Sequence, residues 1–238
     1  MNVEFSVVVP VCNEAENVEP LAREIHAAMG RWPYEMIFID DGSTDDTAAI
    51  LLRLKSELPA LRVLRHSFRS GQSAAVASGV RAARAPWIAT LDGDGQNDPA
   101  DIPKLIAARD QQPGVQLFMG NRKASRKDTA FRKLQSSVAN GVRSGLLGDE
   151  TPDTGCGIKL FEREAFLELP HFNHMHRYLP ALMQRAGWKT VSVPVNHRAR
   201  STGVSKYNNL NRALVGIADL RGVAWLIRRG KVTRVEER

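Results

Sequence analysis

The sequence predicts an α/β fold: a single, mainly parallel sheet with helices on both faces, followed by a C-terminal amphipathic helix. Two observations predict it. Through the first half of the chain, short continuous apolar runs alternate with amphipathic segments of helix length, the pattern of strands buried on both faces. Three of those runs stop abruptly in acidic loops, and the carboxyl ends of strands are where open α/β sheets bind ligands. The 238 residues suffice for one large core. Hydrophobic residues at 43% and charged residues at 25% give a globular balance rather than a disordered one.

The elements follow in order. "FSVVVPV" reads as a strand, Ala15 to Met29 as an amphipathic helix and "YEMIFIDD" as a second strand. A helix from Thr44 to about Glu57, the strand "LRVLR", a small-residue helix from Gly71 to Arg84 and the strand "WIATLDGD" come next. The second half is less regular. Lys127 to Leu147 reads as a helix, "GCGIKLF" as a strand, His176 to Ala186 as a helix and "WKTVSVPVNHR" as a strand. "RARSTGVSKYNN" reads as a mobile basic loop. A final helix from about Asn208 to Arg229 has an apolar side of Leu210, Leu214, Ile217, Leu220, Ala224 and Ile227. The expected division is a main α/β domain over 1–206 and a basic amphipathic helix and tail over 207–238.

Bulk properties exclude several classes. Cys12 and Cys156 are too few for a disulfide framework or a structural zinc site, which favours a reducing, cytoplasmic setting. Glu4 precedes a short apolar run that ends in polar residues, unlike a secretory leader. Asp219 and Arg221 interrupt the most apolar late stretch, short of the roughly 20 apolar residues a spanning helix needs. The net charge of +7 suits anionic partners. Nucleic acid is disfavoured, because aromatics are only 6% and the basic residues are scattered.

The loops carry the chemistry. "TLDGDGQNDP" resembles a calcium loop only at Asp92, Asp94 and Gln96; Asn97 stands where that loop needs glycine and Pro103 where it needs glutamate. Oxygen ligands this few suit Mg2+ or Mn2+, which share their remaining positions with water and phosphate. A plain polar turn is the competing reading. In "IDDGSTDDT", Ser43 or Thr44 is placed to cap a helix, and Asp45 and Asp46 favour its positive end. Asp40 and Asp41 are left over, and an acid there suits hydrogen bonds from a nucleotide base. No phosphate-binding P-loop, dinucleotide fingerprint or nucleophile elbow is present. His174 and His176 read as a surface or helix-start pair rather than as metal ligands.

Taken in order, "VVVPVCNEAENV", "IDDGSTDDT", "LDGDGQNDP", "DTGCGIKLFEREAF" and "VPVNHRARSTGVSKY" resemble family 2 glycosyltransferases, closest to the dolichyl-phosphate mannosyltransferase-like branch that makes polyprenyl phosphate sugars. The resemblance implies a Rossmann-like GT-A fold, a nucleotide-diphosphate sugar donor, a divalent ion and a polyprenyl phosphate acceptor. It places Pro10, Cys12 and Glu14 along the nucleotide site, with Ile39 and Asp41 beside the base. Cys12 stands where relatives commonly have tyrosine. It assigns Asp92, Gly93, Asp94 and Gln96 to the metal and diphosphate loop, and Arg122, Arg200 and Lys206 to phosphate contacts.

The expected reaction is one inverting displacement. A phosphate monoester, with a second pKa of about 6, is already ionised at neutral pH and needs no strong base. A saccharide hydroxyl acceptor would need one, and Asp153 is then the first candidate. A nucleotidyltransferase and a nucleotide- or nucleic-acid-binding module are the rival classes. A lipid acceptor also gives the last helix a reason to lie on the cytoplasmic membrane face, with Arg228, Arg229, Lys231 and Arg234 near anionic headgroups. A core-completing or dimer-forming side is the alternative. The sugar, the base, the prenyl length and the oligomeric state stay open.

Overall fold

A computed structural model describes residues 3–122, 141, 143–149, 151, 153–196, 198 and 209–230, with 209–214 described by backbone alone. Strands β1 (Phe5–Val11), β2 (Tyr34–Asp40), β3 (Leu61–Arg65) and β4 (Trp87–Thr90) alternate with helices α1 (Ala15–Met29), α2 (Thr47–Glu57) and α3 (Gln72–Ala82). A short 3-10 turn leads into α4 (Ile102–Gln111) and then β5 (Leu117–Asn121). Strand β6 (Lys159–Glu162), helices α5 (Arg163–Leu167) and α6 (Leu179–Arg185), strand β7 (Thr190–Pro194) and helix α7 (Asn209–Arg229) complete the described elements.

The seven strands form one sheet in the order β3-β2-β1-β4-β6-β5-β7. Pairings among β1 to β4 are parallel, as is β5 with β7, whereas β6 runs antiparallel to both its neighbours. The chain therefore steps from β1 outward to β3 and returns to the other side of β1 at β4, which makes the β1/β4 boundary a topological switch point. The reversal of β6 matters equally. It brings the loop before β6 to the same edge as the carboxyl ends of β1 and β4.

Strand alternation builds two core layers. Val7 and Val9 of β1 and Met36 and Phe38 of β2 face α1, α2 and α4; Val8, Ile37 and Ile39 face α3 and, farther along the sheet, α5 and α6. These side chains are wholly inaccessible, and each such burial contributes about 1.5–3 kcal/mol. Both faces are covered, so the strands are continuously apolar rather than alternating.

Several boundaries move. Residues 43–46 lie before α2, so neither Ser43 nor Thr44 caps it; the Asp45 carboxylate accepts from Thr47 N at 3.1 Å and from its hydroxyl. Ser43 Oγ accepts instead from Asn13 N at 2.9 Å, tying the β1 and β2 loops together. The segment His176 to Ala186 divides into a 3-10 turn over Met175–Arg177 and α6. Helix α4 and strand β5 carry too little periodicity to be read from sequence. Of the helix expected over 127–147, only 141 and 143–147 lie among the described residues, and these are helical.

The final helix seats Leu220, Ala224 and Ile227 inward as expected, but not Ile217. Val223 and Ala224 enter the core, Ile227 and Leu220 pack beside them, and Ile217 is 51% exposed. Three contacts fix this angle: His174 Nδ1 to Asp219 at 2.8 Å, Tyr178 hydroxyl to the Gly216 carbonyl at 3.3 Å, and Arg185 Nε to the Leu226 carbonyl at 2.8 Å. One side of α7 thus completes the core. The outer side keeps Val215, Ile217 and Trp225 exposed.

Candidate active site

The acidic loop after β4 sits at the switch point because backbone contacts hold it against β1. Leu91 N donates to the Val8 carbonyl at 3.4 Å, prolonging the strand by a residue. A Cβ at Gly93 would lie 2.6 Å from Val11 Cγ1 and 2.8 Å from the Pro10 carbonyl, so only glycine lets the loop pass this closely. Asp92 N donates to the buried Asn97 Oδ1 at 2.9 Å, and Gln96 N to Asp94 Oδ1 at 3.2 Å. These two bonds brace the loop from within.

Asp92 and Asp94 form an electrostatically strained pair. Asp92 accepts from Gln72 Nε2 at 2.8 Å, and the β6 loop presses on its other side: a Cβ at Gly157 would fall 2.2 Å from Asp92 Oδ2. Burial, then the neighbouring Asp94 charge, push the Asp92 carboxyl up from its ordinary value, with Lys159 and the Gln72 hydrogen bond acting the other way. Repelling carboxylates at a cleft mouth suit a hard divalent cation. Among the described residues no group of three or more His, Cys, Asp or Glu gathers to hold a metal. The donor set, two carboxylates beside Gln96, fits an ion that takes its other ligands from phosphate and water.

The remaining expected residues fall into three groups. Pro10, Asp92 and the loop over 154–157 share one cavity. Cys12 is partly exposed at the end of β1, and Glu14 starts α1, its Oε2 accepting from Asn17 Nδ2 at 2.7 Å. Ile39 and Asp41 stand at the carboxyl end of β2 and just beyond it. Ile39 is wholly buried under α3, so its side chain cannot meet a base. The Asp41 carboxylate, 4% exposed, is taken up by the chain: it accepts from Ser70 N and Gly71 N, both at 2.8 Å, and faces His66 Nδ1 at 2.7 Å. It pins the β3–α3 loop.

Asp153 is likewise not placed as a base. Its two oxygens take Arg122 Nε at 2.8 Å and Nη2 at 2.9 Å, and Arg122 N at 3.1 Å. Both residues are 8% exposed. The pair raises Arg122 above its ordinary value against the opposing effect of burial, which is the larger single influence. Arg122 therefore anchors the 153–157 loop through Asp153. Arg200 and Lys206 lie outside the described residues, as does most of the basic loop around them.

Behind Asp92 the cavity measures about 400 Å3, with walls from α3, β6 and the residues before α6. Gln72, Asn97, Lys159 and His176 belong to this site or its support and were missed by sequence reading. Their only signal was position: Asn97 within the acidic loop, and Lys159 just after "GCGI". Nothing local marks Gln72.

His176, whose Nδ1 lies 2.7 Å from Ser73 Oγ, is held neutral. Burial first, then the charges of Lys159 and Arg177, lower its pKa from 6.5 to about 3. A depressed histidine contributes stability that is complete above its unfolded pKa and lost as pH falls toward the folded value. Between pH 7 and pH 5 the chain should therefore lose about 2 kcal/mol from this group, at roughly 1.4 kcal/mol per pH unit below 6.5. Urea unfolding of wild type and His176→Gln at both pH values checks this; an identical acid loss in the variant would refute it. The two histidines do not form a metal pair, since His174 turns to Asp219 and His176 to Ser73.

Comparison with known proteins agrees with this geometry. Dodecaprenyl-phosphate galacturonate synthase of Rhizobium johnstonii is 37% identical over 239 residues, covering 95% of this chain and 68% of that protein. Undecaprenyl-phosphate 4-deoxy-4-formamido-L-arabinose transferase of Edwardsiella ictaluri is 33% identical over 207 residues, covering 85% of this chain and 62% of that one. The chain thus spans about two thirds of the length of these relatives. Among solved structures, glucosyl-3-phosphoglycerate synthase from Mycobacterium tuberculosis, in complex with Mn2+, uridine diphosphate and phosphoglyceric acid, superposes with a TM-score of 0.69 at 19% identity, over 98% of this chain and 80% of that one. A mannosyltransferase from Pyrobaculum calidifontis, in complex with GDP-Man and Mn2+, gives 0.66 at 18% identity, over 98% and 66%. These likenesses establish the GT-A fold. The model described as "Glycosyl transferase family 2" matches residues 6–169, spanning both the acidic loop and the strand that closes the cavity, and the chain belongs to that family.

Proposed function

We propose that this chain transfers a sugar from a nucleotide-diphosphate donor to a polyprenyl phosphate, with inversion at the anomeric carbon. The observation that carries the reading is the Asp92–Asp94 pair at the β1/β4 switch point, beside a cavity that lacks a competent general base among the described residues. Asp153 is consumed by Arg122, and His176 is far too weak a base at neutral pH. An acceptor that arrives already ionised removes the need for one.

Asp92, Asp94 and Gln96 are the residues that would hold Mg2+ or Mn2+ and, through it, the donor diphosphate. The bound ion supplies charge neutralisation to the departing diphosphate. A phosphate oxygen of the acceptor attacks the anomeric carbon, and the bond from that carbon to the diphosphate oxygen breaks. The leaving nucleoside diphosphate takes the electron pair, and no proton transfer is required. Arg200 and Lys206 are assigned to the same phosphates by resemblance. The relatives' printed names support a lipid phosphate acceptor, and leave a uronic acid and an amino sugar as candidates. With radiolabelled donor and undecaprenyl phosphate, label should enter an organic-extractable product and release nucleoside diphosphate. Label in an oligosaccharide, or release of pyrophosphate, would sink this reading.

The outer side of α7 gives the reaction a place. Val215, Ile217 and Trp225 are 42%, 51% and 54% exposed, and Arg221, Arg228 and Arg229 are exposed on the same helix. Among the described residues no helix is long and apolar enough to cross a membrane. Exposed apolar side chains interspersed with arginines suit the interface of an anionic bilayer, and we assign this surface to the cytoplasmic leaflet. Because Val223 and Ala224 are core, truncation confounds the test, and surface substitutions are the cleaner probe. Ile217→Ser with Trp225→Ser should reduce flotation with phosphatidylglycerol-containing vesicles several-fold while leaving the melting temperature unchanged. Equal flotation would remove the membrane assignment.

A further inference from the structure

The cavity behind Asp92 is more basic than a neutral sugar requires. Lys159 and Phe161 project from the same face of β6 toward α3 and α6, because alternate residues of a strand share a face and Leu160 enters the opposite core. The Lys159 ammonium is 5% exposed and bonds the Cys156 carbonyl, and it makes no ion pair among the described residues. Arg177 lines the same cavity and is equally without an ion pair among them. Asp92 is the one carboxylate among the described lining residues, and it is already committed to Gln72 and to the loop mouth.

An ammonium withdrawn from water this far is costly unless a counter-charge reaches it. Its lowered pKa, caused first by burial, shows that the surrounding charges do not fully compensate. Next to Lys159 on that face, Phe161 stacks on Phe166 with centroids 5.1 Å apart at 20°, and Val76 and Leu179 add apolar surface to the lining. The volume, about 400 Å3, is at the small end of the roughly 300–1,000 Å3 that ligand pockets span. A compact ring with one apolar face and one negative substituent matches these walls. A diphosphate does not, since its charges would meet the aromatic side. A lipid phosphate does not, since its chain has to reach the outside.

We infer that this cavity receives the donor's sugar ring and selects a ring bearing a carboxylate, a hexuronic acid, through Lys159 and Arg177. The inference rests on the transferase reading above and adds the substrate class. A neutral hexose would leave the Lys159 ammonium unpaired, whereas a uronate would form a charge-assisted contact in a site shielded from water. Discrimination then comes from the buried cation's need for a partner rather than from ring shape.

The test uses the full chain with Mn2+ and matched donors that differ only at the sixth carbon: UDP-galacturonic acid against UDP-galactose, UDP-glucuronic acid against UDP-glucose, and GDP-mannuronic acid against GDP-mannose. Calorimetry should show the uronate of the accepted series binding on the order of 100-fold tighter than its hexose, the scale expected when one partner of a buried charge pair is missing. Lys159→Met should shrink that gap to under about tenfold while leaving affinity for the free nucleoside diphosphate unchanged, because an apolar side chain of similar length fits the site. Arg177→Gln, at a partly exposed position, provides a second variant if the first fails to fold. Equal affinity for uronate and hexose in every series would overturn the inference. So would a Lys159→Met loss shared by the free nucleoside diphosphate, which would make the diphosphate the counter-charge. A loss confined to KM for the lipid phosphate would overturn it in favour of the acceptor. If no nucleoside diphosphate binds with Mn2+ at all, the transferase reading itself fails, and that result is distinct from the others.

Discussion

Asp94→Ala should lower the rate of sugar transfer by about 10^3-fold or more, the scale on which removing a preorganised charge-stabilising group acts. Folding should survive. The Asp94 side chain is partly exposed and accepts a turn hydrogen bond from Gln96 N at 3.2 Å, a loop contact of the kind whose loss costs about 1 kcal/mol. Removal also relieves repulsion on Asp92, whose raised pKa reflects the Asp94 charge after burial, and that relief offsets part of the cost. Two measurements separate chemistry from folding. The melting temperature without metal should stay near wild type, whereas the stabilisation that Mn2+ plus nucleoside diphosphate confers by mass action should vanish. Turnover within tenfold of wild type, still dependent on Mn2+, would show that the pair is a polar turn and no more.

The second large effect concerns stability. Arg122→Met should destabilise the chain by about 3–5 kcal/mol, because it strands the buried Asp153 carboxylate without its two guanidinium contacts. Asp153→Leu combined with Arg122→Met should recover most of that loss, since replacing both partners of a buried pair by apolar groups is close to neutral. Urea unfolding of the wild type, both single variants and the double variant gives the coupling directly. Were Arg122→Met alone to cost under about 1 kcal/mol, the ion pair would be incidental, and the sequence-based reading of Arg122 as a phosphate contact would regain its ground. Activity of the folded double variant adds a further reading. The pair anchors the loop whose Gly157 packs on Asp92, so a displaced loop should impair transfer more than binding of the free nucleoside diphosphate.

Particular residues explain how much of this was legible beforehand. The first four strands were readable as short apolar runs, and the three helices as the helix-length segments between them, because each is written in a short range of chain. The acidic loop was readable because carboxylates one residue apart are conspicuous in any one-dimensional record. Asp41 and Asp153 look like chemistry for the same reason, yet the fold spends both on its own backbone and on Arg122. A carboxylate's partner can lie far along the chain, as Arg122 does at 31 residues from Asp153 and Gly71 at 30 from Asp41, and local spacing carries no information about it. The amphipathic pattern of α7 shows the same limit. It marked a helix correctly, and Leu220, Ala224 and Ile227 pack at the core as expected, but it put Ile217 inside and missed Val223, because the contacts that set the helix's rotation come from residues 174, 178 and 185.

The sequence by itself determined the α/β class, the parallel half of the sheet, the family and the acidic mouth of the cleft, since all four are written in consecutive residues. Tertiary structure decided what lies behind that mouth. The reversal of β6 carries Lys159 and Gly157 across the sheet to Asp92, and the 3-10 turn before α6 sets His176 and Arg177 against them, joining positions up to 85 residues apart. Which charges share a desolvated space depends on chain reversal and strand order, and these are properties of the packed sheet rather than of any stretch of the chain.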